Sequence, residues 1–343
     1  MRGLRKYLTP FAPDQSGAAS VLYELGGLLV ICDAGGCTGN ICGFDEPRWH
    51  TVKSAVFSAG LRDMDAILGR DEKLVDELRD AAEKLDCAFA AIIGTPVPSV
   101  IGTDYSALRR MGEKRASLPV LTVDTTGMAL YDKGAEKAYL ALFDRFAEER
   151  FEVIPGRVGV LGINPLDMSD LRAADKLRAI IPGVVCYGMG STLEDIKNAS
   201  SAEKNLVCAP SGLRAAKLLE KRFGTPFEVF DPLAETFLPD RDYSGKRVLV
   251  IDQQVRANSM RDALIKRGAA SVVCATWFMK ADELSKAGDM RLLEEDDLNE
   301  LVRDGGFDLL IGDPTQWRII EKIYSGETMD IPQFPVSGKL VDA

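Results

Sequence analysis

Residues 28–44 read LLVICDAGGCTGNICGF. An aliphatic run ends in Cys32, glycines at 35, 36, 39 and 43 open the segment that follows, and Cys37 and Cys42 come at intervals of five. A short, continuous apolar run of this kind reads as a strand covered on both faces. In open α/β sheets the functional loops sit at the carboxyl ends of strands, and this glycine-rich segment occupies such a place. Three of the seven cysteines fall within eleven residues. Metal ligation, redox exchange and simple packing each account for that density.

Working outward, short apolar runs alternate with helical stretches. Strands are expected at 28–32, 55–58, 88–93, 120–123, 157–161, 184–187, 206–209, 248–252, 271–275 and 308–311. Helices are expected at 70–85, 104–111, 128–150, 169–180, 213–223, 255–267 and 297–304. Ser191-Thr192-Leu193-Glu194 reads as a capping box, and Gly224 with Pro226 beyond it as a helix stop. Strand–helix alternation predicts an α/β fold: two to three Rossmann-like domains, mainly parallel sheets flanked by helices, with a cleft between them. Breaks at Pro155-Gly156 and in PDRDYSG (239–245) divide the chain into 1–152, 153–240 and 241–343.

Composition excludes several classes. The net charge of −10 leaves no basic footprint for nucleic acid or an anionic membrane. No run approaches the length of a membrane-spanning helix, and the N-terminus lacks the long apolar core and cleavage site of a signal peptide. The expected compartment is the cytoplasm, where thiols stay reduced. The chain lacks a phosphate-binding loop, since Ser244-Gly245-Lys246-Arg247 has neither the upstream glycine nor the following hydroxyl. It also lacks a dinucleotide fingerprint, since Gly159-Val160-Leu161-Gly162 has no third glycine. Neither NAD nor a nucleotide is therefore expected to bind this chain. The single histidine, His50, removes most hydrolase and zinc readings and is expected on the surface or in a loop.

Within the opening stretch, glycines let the backbone wrap closely around a ligand while backbone N–H groups donate to bound sulfur. The C-x-x-C pairs usual for zinc or ferredoxin sites are missing. The bland alternative is that Cys32 fills a strand core and Cys37 packs a turn. Cys87, Cys186 and Cys274 lie inside apolar runs and read as small buried hydrophobes. Cys208 falls at a strand end before a helix, where a thiol can reach a cleft. Asp104, Thr126 and Asn164 follow strands and either line the cleft or cap turns.

These stretches resemble the nitrogenase component 1-type oxidoreductases, the family of the molybdenum–iron protein subunits, their cofactor-assembly scaffolds and the dark-operative protochlorophyllide reductases. LLVICDAGGC (28–37) is similar to the family's strand and Gly-Cys loop, whose cysteine ligates an interface iron–sulfur cluster. TPVPSVIGTD (95–104), LPVLTVDTTG (118–127), VGVLGINPLD (158–167), residues 205–226 and DLLIG (308–312) resemble further family segments in the same order. Cys32 stands where many members have histidine.

The departures are specific. Phe11-Ala12-Pro13 occupies the region of the family's first cluster cysteine, and Pro96 stands at the third ligand position. Of three expected ligands only Cys37 remains, and proline cannot ligate iron. The resemblance therefore implies a 4Fe–4S cluster completed at a subunit interface, either by a related component 1-type subunit or by a second copy supplying its own Cys37 and Cys42. Cys42 has no counterpart in the family and is included because it lies five residues on, close enough to reach the same cluster; the expected cofactor-binding positions are Cys37, Cys42, Cys32 and Gly36 and the expected metal ligands Cys37, Cys42 and Cys208, with no residue assigned a catalytic role. The chain also ends soon after Ile331-Pro332, where active-cofactor subunits continue, which weighs against a large buried metal cofactor.

The implied function is an oxidoreductase subunit that receives electrons from an ATP-dependent iron–sulfur reductase and passes them to a substrate. The alternatives are a non-catalytic scaffold for metal-cofactor assembly, a metal-free small-molecule binder and a structural subunit of a heteromer.

Overall fold

The computed structural model describes residues 5–69, 71–168 and 170–335. Arg70 and Ser169, at the starts of two expected helices, lie outside the described residues. Three separate sheets form, and every strand pair in them is parallel.

The first sheet holds β1 (Gly27–Ile31), β2 (Ala55–Ser58), β3 (Phe89–Ile93) and β4 (Val120–Val123), in the order β2-β1-β3-β4. The second holds β5 (Ile154–Leu161), β6 (Val184–Cys186), β7 (Ala202–Val207) and β8 (Phe227–Val229), in the order β6-β5-β7-β8. The third holds β9 (Arg247–Ile251), β10 (Ser271–Thr276), β11 (Asp289–Arg291), β12 (Leu309–Gly312) and β13 (Glu327–Asp330), in the order β11-β10-β9-β12-β13. Each sheet thus grows outward from its first strand and then reverses. The reversals lie at β1/β3, β5/β7 and β9/β12, the places where open α/β sheets commonly carry their functional loops.

The ten strands expected from apolar runs all form, with ends shifted by a few residues. β8, β11 and β13 were not expected. They are short edge strands whose residues alternate or are largely exposed, so they carry no continuous apolar run. Along β1, Leu28 and Val30 with Cys32 beyond them join one core, while Leu29 and Ile31 join the core on the opposite face.

The helix Asp14–Leu22 (DQSGAASVL) also escaped the sequence reading. All nine of its residues are buried, so it shows no helical period of apolar and polar positions. It lies against the helix Tyr131–Phe146 at unusually close range. A Cβ on Gly17 would overlap the carbonyl of Tyr131, and one on Gly134 would overlap that of Asp14. The pair contributes to one core shared by the first and second sheets, with Ala18, Leu22, Ala135, Tyr139, Leu161 and Val207 among its members.

The segment before this helix packs on the third sheet through Leu8, Phe11 and Ala12. Glu295 holds it there, accepting the backbone N–H groups of Lys6, Tyr7 and Leu8 at 2.8–2.9 Å. Among the described residues no helix is long and apolar enough to cross a membrane.

Candidate metal centre

The segment after β1 leaves the sheet at the β1/β3 reversal. Its first residue, Cys32, donates its N–H to Ile93 O at 2.8 Å, and its carbonyl accepts the Thr95 hydroxyl at 2.7 Å. Asp33 then turns back on the chain. Its carboxylate accepts the N–H of Thr38 at 2.8 Å, the hydroxyl of Thr38 at 2.9 Å and the hydroxyl of Ser58 at 2.7 Å. Gly35 makes the turn at φ 116°, a conformation that disfavours a side chain.

A short helix, Gly36–Asn40, follows and widens into a π-helical turn, Ile41–Asp45. Such turns are rare and cluster at functional sites. Asp45 closes the far end, accepting from Ser16 Oγ at 2.7 Å and Asn40 Nδ2 at 2.5 Å. Beyond it Arg48 is enclosed by Glu46 and Glu24 at 2.7 and 2.9 Å and donates to the carbonyls of Ser20 and Gly188. The segment is therefore pinned at both ends by buried carboxylates.

Cys37 and Cys42 lie on this one helical stretch, and both are half-buried. Burial, and then Asp33, pushes both thiols up from the ordinary value, with Glu46 adding to the effect at Cys42. Gly36, Gly39 and Gly43 surround them. None has positive φ, and a Cβ on any of the three would meet nothing within 4 Å. The chain's own packing gives no reason for glycine at these positions. They leave bare backbone beside the two sulfurs. Exposed apolar side chains lie on neighbouring elements at the same end of the sheet: Phe44 on the π turn, and Val97, Val100 and Ile101 on the helix Pro96–Ile101.

The other candidates are placed apart from this pair. Cys32 is buried in the core on the opposite face of β1, where burial pushes its thiol up to about 12. Cys208 is fully buried beyond β7, and its sulfur lies 3.4 Å from the carbonyl of Phe230. Cys186 and Cys274 are buried, whereas Cys87 is half-buried at the rim of a depression of about 490 Å³ at the amino ends of β1–β3. His50 is exposed. Asp104 and Asn164 cap helical turns, accepting from Ala107 N and Leu166 N. Thr126 donates its N–H to Asp14.

The donor set suits a soft metal but is incomplete. Among the described residues no group of three or more His, Cys, Asp or Glu side chains is placed to hold a metal ion. Two thiols are half the number that a four-thiolate cluster takes, so any such cluster here would need donors from outside this segment.

Three parallel sheets flanked by helices, with two half-buried thiols on bare backbone at the first reversal, define an α/β protein. Residues 16–236 match the family described as "Nitrogenase component 1 type Oxidoreductase", and the chain belongs to that family.

The chain is 24% identical over 184 residues to the "Nitrogenase iron-molybdenum cofactor biosynthesis protein NifE" of Bradyrhizobium diazoefficiens, a stretch covering 52% of this chain and 33% of that protein. It is 25% identical over 185 residues to the protein of the same name from Clostridium pasteurianum, covering 50% and 38%. The matched stretches thus span well under half the length of these curated relatives. Among solved structures, "Nitrogenase Cp1 at pH 6.5" superposes with a TM-score of 0.74 at 14% identity, covering 99% of this chain and 88% of that one. That likeness establishes the fold.

Proposed function

We propose that this chain is a cofactor-handling scaffold subunit that holds an iron–sulfur group, a 4Fe–4S cluster, through Cys37 and Cys42 jointly with donors from a second subunit. The observation that carries the reading is the set of glycines at 36, 39 and 43, which have open space around them and no conformational need to be glycine. Side chains are missing where an outside occupant would lie.

Within this reading, the sulfurs of Cys37 and Cys42 bind iron as thiolates, and the positive charge of the iron offsets the burial and the Asp33 charge that favour the thiol. When bound, the group supplies one-electron chemistry. Asp33 and Asp45 fix the segment so that little ordering entropy is lost on binding. Exposed Phe44, Val97, Val100 and Ile101 support a second subunit at the same face, either a second copy or a related chain. The scaffold reading is favoured over a catalytic subunit by the relatives' printed names and by the filled space between the second and third sheets, where Cys208 and Arg256 are enclosed by protein. The second reading, an electron-accepting oxidoreductase subunit served by an ATP-dependent iron–sulfur reductase in the cytoplasm, is supported by the family's description.

Anaerobic purification, with iron, acid-labile sulfide and native mass measured together, tests the proposal. A cube shared by two copies gives about two irons per chain. Cys37→Ser should lose most of that iron and Cys87→Ser should retain it. Equal iron in the two variants would refute the assignment. Turnover on addition of the reductase and ATP would favour the second reading over the scaffold.

A further inference from the structure

Where the second and third sheets meet, one cation faces three carboxyl groups out of reach of water. Asp167 follows β5, Asp231 follows β8, Asp252 follows β9, and Arg256 lies on the helix Gln254–Lys266. None of the four is more than 3% exposed. Arg256 Nε donates to Asp231 Oδ2 at 2.8 Å, and its Nη1 stands 3.7 Å from Asp252 Oδ1. That same Nη1 donates to the backbone carbonyl of Asp167 at 2.5 Å. The carboxyl group of Asp167 instead accepts the hydroxyl of Tyr131, from the helix packed against Asp14–Leu22. Gln253 Nε2 adds a bond to Cys208 O at 2.6 Å, so the contact ties the loops after β5, β7, β8 and β9 together.

Fully ionised, three carboxylates and one guanidinium carry a net charge of −2. Removing an uncompensated carboxylate from water costs several kcal/mol, more than retaining its proton. Among the described residues, the neighbours acting most strongly on Asp167 and Asp252 include no second cation. Asp167 faces Tyr131 and Asp132 from the helix Tyr131–Phe146, Asp252 from beyond β9 and Arg256. Asp252 faces Asp231, Arg256, Gln333 and the N–H of Gln253. Its Oδ2 has no hydrogen-bond partner among the described residues. Cys208, which also faces Asp231 and Arg256, stays a neutral thiol because burial pushes it well above the ordinary value.

We propose that protons retained on Asp167 and Asp252 around Arg256 lock the second and third sheets together, and that their loss as pH rises through neutrality loosens the third sheet from the second. The protons pass to solvent, and the two like charges left behind repel across the contact. Burial pushes Asp167 up to about 7 and Asp252 up to about 6, in each case against the pull of Arg256. A carboxyl group raised in the folded state stabilises the fold at low pH. That contribution is lost as pH rises through the folded values, the opposite of a salt-bridged carboxylate.

Hydrogen exchange on the intact chain tests this. In the wild type, protection factors across Gln254–Lys266, corrected for intrinsic rates, should fall about tenfold per proton lost between about pH 5.8 and 8, while β1 and β3 hold theirs. Asp167→Asn imitates the protonated acid and keeps an acceptor for Tyr131, so its protection should change less than about threefold over that range. Asp252→Asn removes a negative charge that helps to hold the proton on Asp167, so the remaining transition should move to lower pH, which keeps the test decisive if the first variant folds poorly. Equal pH dependence in the wild type and either variant, or none in the wild type, would overturn the lock.

Discussion

The carboxylate of Asp33 accepts both the N–H and the hydroxyl of Thr38, at 2.8 and 2.9 Å, so the turn carrying Cys37 closes on the strand it has just left. The bond sits at the β1/β3 reversal, just beyond the carboxyl end of β1. A third bond, from Ser58 beneath it, ties the turn to β2.

Asp33→Ala should therefore leave these three donors without their partner and cost about 2 kcal/mol of local stability. Hydrogen exchange should rise across 36–43 and stay unchanged in the third sheet. Iron retention in anaerobic preparations should drop, because the two thiols would no longer be held in place.

The glycines divide into two kinds that one pair of variants separates. Gly17→Ala drives a methyl group into the Tyr131 carbonyl and should destabilise the chain by about 3 kcal/mol, read as a lower denaturant midpoint. Gly36→Ala meets open space in helical backbone and should change the midpoint by less than about 0.5 kcal/mol. If position 36 serves an outside occupant, Gly36→Ala should still lower bound iron.

Thiol accessibility should follow burial. In metal-free native protein an alkylating reagent should modify Cys37, Cys42 and Cys87 and spare Cys32, Cys186, Cys208 and Cys274. Mass spectrometry of a partial reaction reads this directly. Rapid labelling of Cys208 would show that the contact between the second and third sheets opens in solution.

Glu295 stabilises the attachment of the N-terminal segment in a pH-dependent way. Burial raises its carboxyl group, but the N–H groups of Leu8, Lys6 and Tyr7 outweigh burial and hold it below the ordinary 4.5. Its contribution is present above that value and lost as pH falls through the lower folded one. Glu295→Ala should release residues 6–8 at neutral pH, costing about 2–3 kcal/mol and seen as faster exchange or proteolysis there.

The candidate site was legible where chemistry is local. Cys37, Cys42 and their glycines stand out in the sequence because sulfur and bare backbone are features of residue type. The placement of Cys32 away from Cys37 was not legible. It depends on alternation along β1, which sends Cys32 into the opposite core. The helix Asp14–Leu22 escaped because complete burial removes the polar face that makes a helix visible.

The sequence by itself determined the alternation of strand and helix, the parallel sheets and the thiol-bearing loop, because burial on both faces of a strand demands continuous apolar runs. Only the tertiary structure decided that Arg256 is enclosed with Asp167, Asp231 and Asp252, residues up to 89 positions apart in the chain. Charges so distant become neighbours only when separate sheets meet, and a cluster buried by that meeting leaves no periodic trace in any one segment.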